Sequence, residues 1–144
     1  MIKKILLVDD DDYKSSNIIS FLKEQPKYDI QIENALNPGL KRLINDAFDL
    51  ILLDMSMPTF KAQESDNFNS FGGLDFLNEM KRKRNHTPVI IITQYELFGE
   101  GASRKTSKTI DFECKEQFDN YRGIVIYSAT DDSWKEILLN IIGD

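Results

Sequence analysis

The sequence predicts an α/β fold, a doubly wound five-stranded parallel sheet with five helices shared between its two faces. Three observations carry that expectation. The apolar runs in Lys3–Val8 and Leu50–Leu53 are short, continuous and free of helical spacing, so they read as strands buried on both faces. Strand-like and helix-like stretches alternate along the chain, as they do where parallel strands are joined by helical crossovers. Those crossovers take the right-handed sense, which places helices on both sides of the sheet.

Each element has its own local reason. The first strand is Lys3–Val8. The first helix covers about Tyr13–Gln25, capped by Asp11 or Asp12, with Ile18, Ile19 and Leu22 inward and Pro26 ending it. Tyr28, Ile30 and Ile32 alternate with polar residues, marking a half-exposed edge strand. Asn37-Pro38 reads as a capping residue followed by proline at the first helical position, and Leu40, Leu43, Ile44 and Ala47 supply the apolar stripe. The third strand is Leu50–Leu53. Residues 59 to 70 are polar and read as a long loop. The third helix starts near Phe71-Gly72-Gly73 and turns Leu74, Leu77 and Met80 inward. The basic cluster Lys81 to Arg84 suits its carboxyl end.

Pro88 opens the fourth strand, Val89–Ile92, which ends in Thr93. Tyr95, Leu97, Phe98, Gly99 and Gly101 suggest a loop packed on its own aromatics. Ser107 is the expected cap of a fourth helix, about Lys108–Phe118, with Ile110, Cys114 and Phe118 on one face. Gly123–Tyr127 is the fifth strand. Ser133 and Glu136 have capping-box spacing at the start of a fifth helix whose stripe is Trp134, Ile137, Leu138 and Ile141. The expected strand order is flavodoxin-like, 2-1-3-4-5, with the crevice beside strands one and three. Residues 1–144 read as one domain.

Bulk properties narrow the function. The chain has 144 residues, 41% of them hydrophobic, which is enough for one core. A net charge of −6 argues against a nucleic-acid or membrane surface. The one cysteine, Cys114, excludes an internal disulfide and suits a reducing cytoplasm. Ile5–Val8 is too short for a signal-peptide core, and no apolar run approaches membrane-spanning length.

The chemistry lies at two strand ends. Asp54 closes the third strand, and Asp9 to Asp12 follow the first. If the strands are parallel neighbours, Asp54 faces Asp9 and Asp10. Three carboxylates that close repel one another, and a hard divalent cation with oxygen ligands, Mg²⁺ above all, offsets the repulsion. Asp11 and Asp12 are better explained as helix caps, His86 as a solvated turn residue, and Trp134 and Cys114 as packing.

These residues resemble the receiver domain of two-component response regulators. The likeness rests on Ile5-Leu-Leu-Val-Asp-Asp10, on Asp49-Leu-Ile-Leu-Leu-Asp-Met-Ser-Met-Pro58, on Gly72 or Gly73, and on Pro88-Val-Ile-Ile-Ile-Thr93. The resemblance implies that Asp54 accepts a phosphoryl group from a histidine kinase or phosphotransfer protein. It implies that Asp9, Asp10, Asp54 and the Ser56 carbonyl hold Mg²⁺, and that the Thr93 hydroxyl senses the phosphoryl oxygen. It further implies a cytoplasmic signalling switch rather than an enzyme. Two features depart from the family. Its strand-five lysine is missing, because the candidate positions are Tyr127, Ser128, Ala129 and Thr130, and Lys135 lies inside the fifth helix. The segment from Gln94 to Tyr121 is also unusual, so the partner cannot be taken over by analogy. With no other cation evident at this strand end, Mg²⁺ is expected to carry more of the phosphate charge and phosphoryl binding is expected to be weak.

Three functions follow. A phosphorylatable stand-alone switch is favoured by the acids and Thr93. A degenerate receiver, acting as an interaction module without phosphorylation, is favoured by the missing lysine. A Mg²⁺-dependent phosphatase with an aspartyl nucleophile after strand one is disfavoured, because Tyr13 stands where a small β-branched residue belongs.

Overall fold

The computed structural model describes residues 3–60 and 68–143. Its sheet has five parallel strands: β1 (Lys3–Val8), β2 (Tyr28–Glu33), β3 (Leu50–Leu53), β4 (Val89–Thr93) and β5 (Tyr121–Ile126). The spatial order is β2-β1-β3-β4-β5, the doubly wound order expected from the sequence. Between and after the strands run α1 (Asp12–Lys23), α2 (Leu36–Asn45), α3 (Gly72–Arg82), α4 (Ser107–Gln117) and α5 (Ser133–Ile142).

The pleat divides the apolar residues between two cores. Leu6, Val8, Ile51, Leu53, Val89 and Ile91 face α2, α3 and α4, and meet Phe76, Leu77, Met80, Ile110 and Cys114. Ile5, Leu7, Leu50, Leu52, Ile90 and Ile92 face α1 and α5, and meet Ile18, Leu22, Trp134 and Leu138. Each central strand thus buries both faces, which is why its sequence is a continuous apolar run rather than an alternating one. The edge strand β2 keeps Ile32 about a third exposed, and so reads as alternating.

Local details correct several expectations. Asn37 does not cap α2: the helix begins at Leu36 behind Ala35, with no side-chain cap. Leu40 and Leu43 pack inward but Ile44 is 68% exposed, and Ala47 lies beyond the helix. Thr106 caps α4 through its hydroxyl to the Thr109 N–H, whereas Ser107 is buried as the first helical residue. The capping box at α5 is absent. Asp131 instead accepts from the Ser133 N–H at 2.6 Å, and Ile137 faces outward.

Among the described residues, two short antiparallel ladders lie outside the main sheet. Met57–Pro58 pairs with Phe68–Asn69, and residues 61–67 of the expected loop lie outside the described residues. Leu97–Phe98 pairs with Lys105–Thr106, so the stretch after β4 is a hairpin rather than a loose loop. Only Phe98 of its aromatics is buried, and Tyr95 is 54% exposed. Gly123 has φ +150°, beside the register slip between β4 and β5 near Val89 and Ile90, a conformation open to glycine.

Candidate functional site

The register of the sheet assembles the site. Val8 pairs with Leu53, so the residues that follow, Asp9 and Asp54, emerge side by side at the carboxyl edge. The Asp54 N–H continues the ladder to the Val8 carbonyl at 3.0 Å. On the other side, Ile91 pairs with Leu53, which brings Thr93 to the same edge. This is the crevice where the strand order reverses, and it is where open α/β sheets hold their ligands.

Asp9, Asp10 and Asp54 each offer a carboxylate oxygen, and these oxygens lie within 4.8 Å of one another. Asp9 and Asp54 are buried and Asp10 is half-buried. Backbone donors fix two of them: the Asp11 N–H binds Asp9 Oδ1 at 2.9 Å, and the Met55 N–H binds Asp54 Oδ1 at 2.8 Å. Thr93 is fully buried at the same edge, where its hydroxyl favours the ionised form of Asp54 and accepts from the Tyr95 N–H at 3.5 Å. Ser56 lies two residues past Asp54, and its hydroxyl donates to the Ser70 carbonyl at 3.0 Å.

Burial governs the charges. It pushes the Asp9 carboxyl up to about 6, opposed by the Lys14 ammonium and reinforced by Asp54. Burial also raises Asp54, against which Lys14, the Thr93 hydroxyl and the Met55 N–H all act. Asp10 is raised by burial and then by the Asp9 charge. Carboxylates that are buried, adjacent and electrostatically frustrated form the environment a hard cation relieves. The donors are all oxygen, so the residues fit Mg²⁺.

The expectation that no other cation reaches this strand end is wrong. Lys14, in the first turn of α1, is 99% buried, with Nζ 2.7 Å from Asp9 Oδ2 and 3.2 Å from Asp54 Oδ2. The sequence held a signal for it. The inward stripe of α1 is Ile18 and Leu22, and one more step of four residues back lands on Lys14. Asp11 caps the helix through the Lys14 N–H at 3.1 Å, as foreseen, and its other oxygen accepts from Gln94 Nε2 at 3.1 Å across the rim.

The place of the missing strand-five lysine is also resolved. Ile126 pairs with Thr93, and the Tyr127 N–H binds the Thr93 carbonyl at 2.8 Å, so Tyr127 is the first residue past the strand. Its hydroxyl does not turn to the acids. It accepts from Asn17 Nδ2 at 2.6 Å, while its ring packs on Trp134 with centroids 5.1 Å apart. Ser128 and Thr130 are paired with each other. Lys135 ion-pairs with Asp132 and lies over the Phe21 and Trp134 rings. His86 is exposed and Cys114 is buried, as expected.

Comparison with known proteins agrees with this fold. The model of the response regulator receiver domain matches residues 5–110. The Detocs response regulatory protein DtcB of Enterobacter cloacae is 31% identical over 96% of this chain and 97% of its own length. Among solved structures, the chemotaxis response regulator CheY4 of Vibrio cholerae superposes with a TM-score of 0.69 at 17% identity, covering 98% of this chain and 99% of its own. The response regulator TrrA of Thermotoga maritima, in a complex with Mg²⁺ and BeF, superposes with a TM-score of 0.66 at 22% identity, covering 97% and 99%.

Proposed function

Because this chain belongs to the response regulator receiver domain family, we propose that it is a phosphoryl-accepting switch of a two-component system with Asp54 as acceptor. The observation that carries the reading is the convergence of Asp9, Asp10 and Asp54 within 4.8 Å at the end of two buried strands, with the buried Thr93 at the same edge of the sheet. A module that served only as a scaffold would gain nothing from burying this repulsion.

The residues divide the work. Asp54 is the nucleophile: one carboxylate oxygen bonds to phosphorus as the N–P bond of a phosphohistidine donor breaks, and the imidazole leaves with the electron pair. The reaction needs Asp54 ionised, and Lys14 and Thr93 favour that form against burial. Asp10, Asp54 and the Ser56 carbonyl, with Asp9 behind them, are the groups that would hold Mg²⁺. A bound Mg²⁺ neutralises charge on the transferring phosphoryl oxygens. Thr93 offers a hydroxyl that can turn from the Asp54 carboxylate to a phosphoryl oxygen.

The partner upstream is a histidine kinase or phosphotransfer protein. Incubation with Mg²⁺ and a small phosphodonor such as acetyl phosphate tests the reading by intact mass. One phosphoryl group should appear on the wild type and none on Asp54→Asn. The second reading, an interaction module that is never phosphorylated, rests on Tyr127 and its neighbours standing where the family has lysine. A wild type that stays unmodified with both phosphodonor and Mg²⁺ would establish it.

A further inference from the structure

We propose that Lys14 takes the part of the missing strand-five lysine: it is this protein's own counter-ion for the phosphoryl oxygens on Asp54, delivered from α1 instead of β5. The assignment rests on the phosphoacceptor reading of Asp54.

Lys14 is an improbable residue for its position on structural grounds alone. It occupies the apolar stripe of α1, four residues before Ile18, and its side chain is 1% exposed. It lies in the first turn, where the helix macrodipole disfavours a cation. A fully buried ammonium carries a desolvation penalty of several kcal/mol unless it is paired and hydrogen-bonded. Here its two neighbours are the carboxylates of Asp9 and Asp54. Even so, neither the Lys14 ammonium nor Asp9 Oδ2 has a well-aligned hydrogen bond, although they stand 2.7 Å apart. The ammonium therefore points into the acidic cluster with unused donors, and a lysine has three of them.

Charge balance points the same way. Three carboxylates and one ammonium leave two net negative charges when all are ionised, and one divalent cation cancels them. A lysine at the end of β5 would give the same total. In this chain that place is closed to a cation, because Tyr127 is buried against Trp134 and bonded to Asn17. The route of the signal changes with the source of the cation. Asn17 lies one turn after Lys14 on α1 and donates to Tyr127, so a shift of the Lys14 turn reaches the end of β5 through α1.

The test compares wild type, Lys14→Met and Lys14→Met/Tyr127→Lys, each titrated with Mg²⁺ alone and then with beryllofluoride in saturating Mg²⁺. Methionine keeps the buried length without the charge. The expected signature has opposite signs. Lys14→Met binds Mg²⁺ as tightly as wild type or more tightly, because a competing cation is gone. Its affinity for beryllofluoride falls by about ten- to a hundredfold, the worth of one charge-assisted hydrogen bond. The double variant recovers part of that loss. Affinity for beryllofluoride within about threefold of wild type would show that Lys14 is only a structural ion pair. If Lys14→Met does not fold, the unaltered protein decides: fluorine–proton Overhauser spectra of its beryllofluoride complex should connect the fluorines to the Lys14 ammonium, and absence of that contact overturns the assignment. A wild type that takes no beryllofluoride refutes the phosphoacceptor reading itself, and the Lys14 role falls with it.

Discussion

Gly73 shows how tightly the site is backed by the fold. Its N–H donates to the Met55 carbonyl at 2.8 Å, which docks the first turn of α3 directly onto the chain leaving Asp54. A Cβ added at Gly73 would stand 2.8 Å from the Asp54 carbonyl oxygen and 3.1 Å from Met55 Cα, both backbone atoms. Ordinary contact begins at 3.4 Å, so α3 must retreat by several tenths of an ångström and strain the Met55 hydrogen bond. Overpacking of this kind costs about 1–3 kcal/mol. The gain from replacing glycine in a helix, at most about 1 kcal/mol, offsets only part of it. Gly73→Ala should therefore lose roughly 1–3 kcal/mol of stability in urea unfolding followed by Trp134 fluorescence. Gly72→Ala is the internal control. Its Cβ would meet Met57 Cγ at 2.9 Å, an atom of a buried side chain that can yield by a change of rotamer where backbone cannot, so its loss should be smaller. A Gly73→Ala stability within about 0.5 kcal/mol of wild type, or a larger loss for Gly72→Ala, would refute the reasoning that backbone contact at Asp54 fixes this turn.

Three further outcomes are expected. Asp54→Asn should weaken Mg²⁺ binding at least tenfold in a titration followed by amide shifts, with wild-type changes centred on residues 9–10 and 54–56; unchanged affinity would remove Asp54 from the metal site. Cys114, whose thiol burial pushes up to about 12, should resist iodoacetamide at pH 8 until the protein unfolds. Since its folded pKa exceeds the unfolded value of 9.0, that thiol's contribution to stability is complete below pH 9 and is lost as pH rises towards 12, and a thiol modified at the rate of the unfolded chain at pH 8 would contradict the burial. Tyr127→Phe leaves Asn17 without its 2.6 Å partner and should cost about 1 kcal/mol in the same urea assay; an unchanged midpoint would refute this contribution of the bond.

Much of this protein was legible in its sequence because the determining forces are local or periodic. The runs Lys3–Val8 and Leu50–Leu53 are apolar on both faces, and only a central parallel strand uses such a run. The alternation of strands and helices then leaves few topologies, and the order β2-β1-β3-β4-β5 is among them. Placing acids at the ends of β1 and β3 follows from the same register, so Asp9, Asp10 and Asp54 could be joined before any coordinates. Helix caps were less legible. Asn37, Ser107 and the Ser133–Glu136 pair have the right residue types, but a shift of one or two residues in the helix start passes the cap to another residue or to none.

What the tertiary structure alone decided is the electrostatic closure of the site. A lysine in the first turn of a helix looks solvated in the sequence, since its long side chain usually reaches water. Whether it does depends on the rotation of α1 about its axis and on its distance from the strand ends. Those are fixed by Ile18 and Leu22 settling into the core against Ile5, Leu7 and Leu52. The same docking carries Lys14 onto Asp9 and Asp54. The identity of three acids and their convergence belong to the sequence. The cation that answers them came from a neighbouring helix: spacing from Ile18 sets it on the inward face, and packing alone brings that face onto the acids.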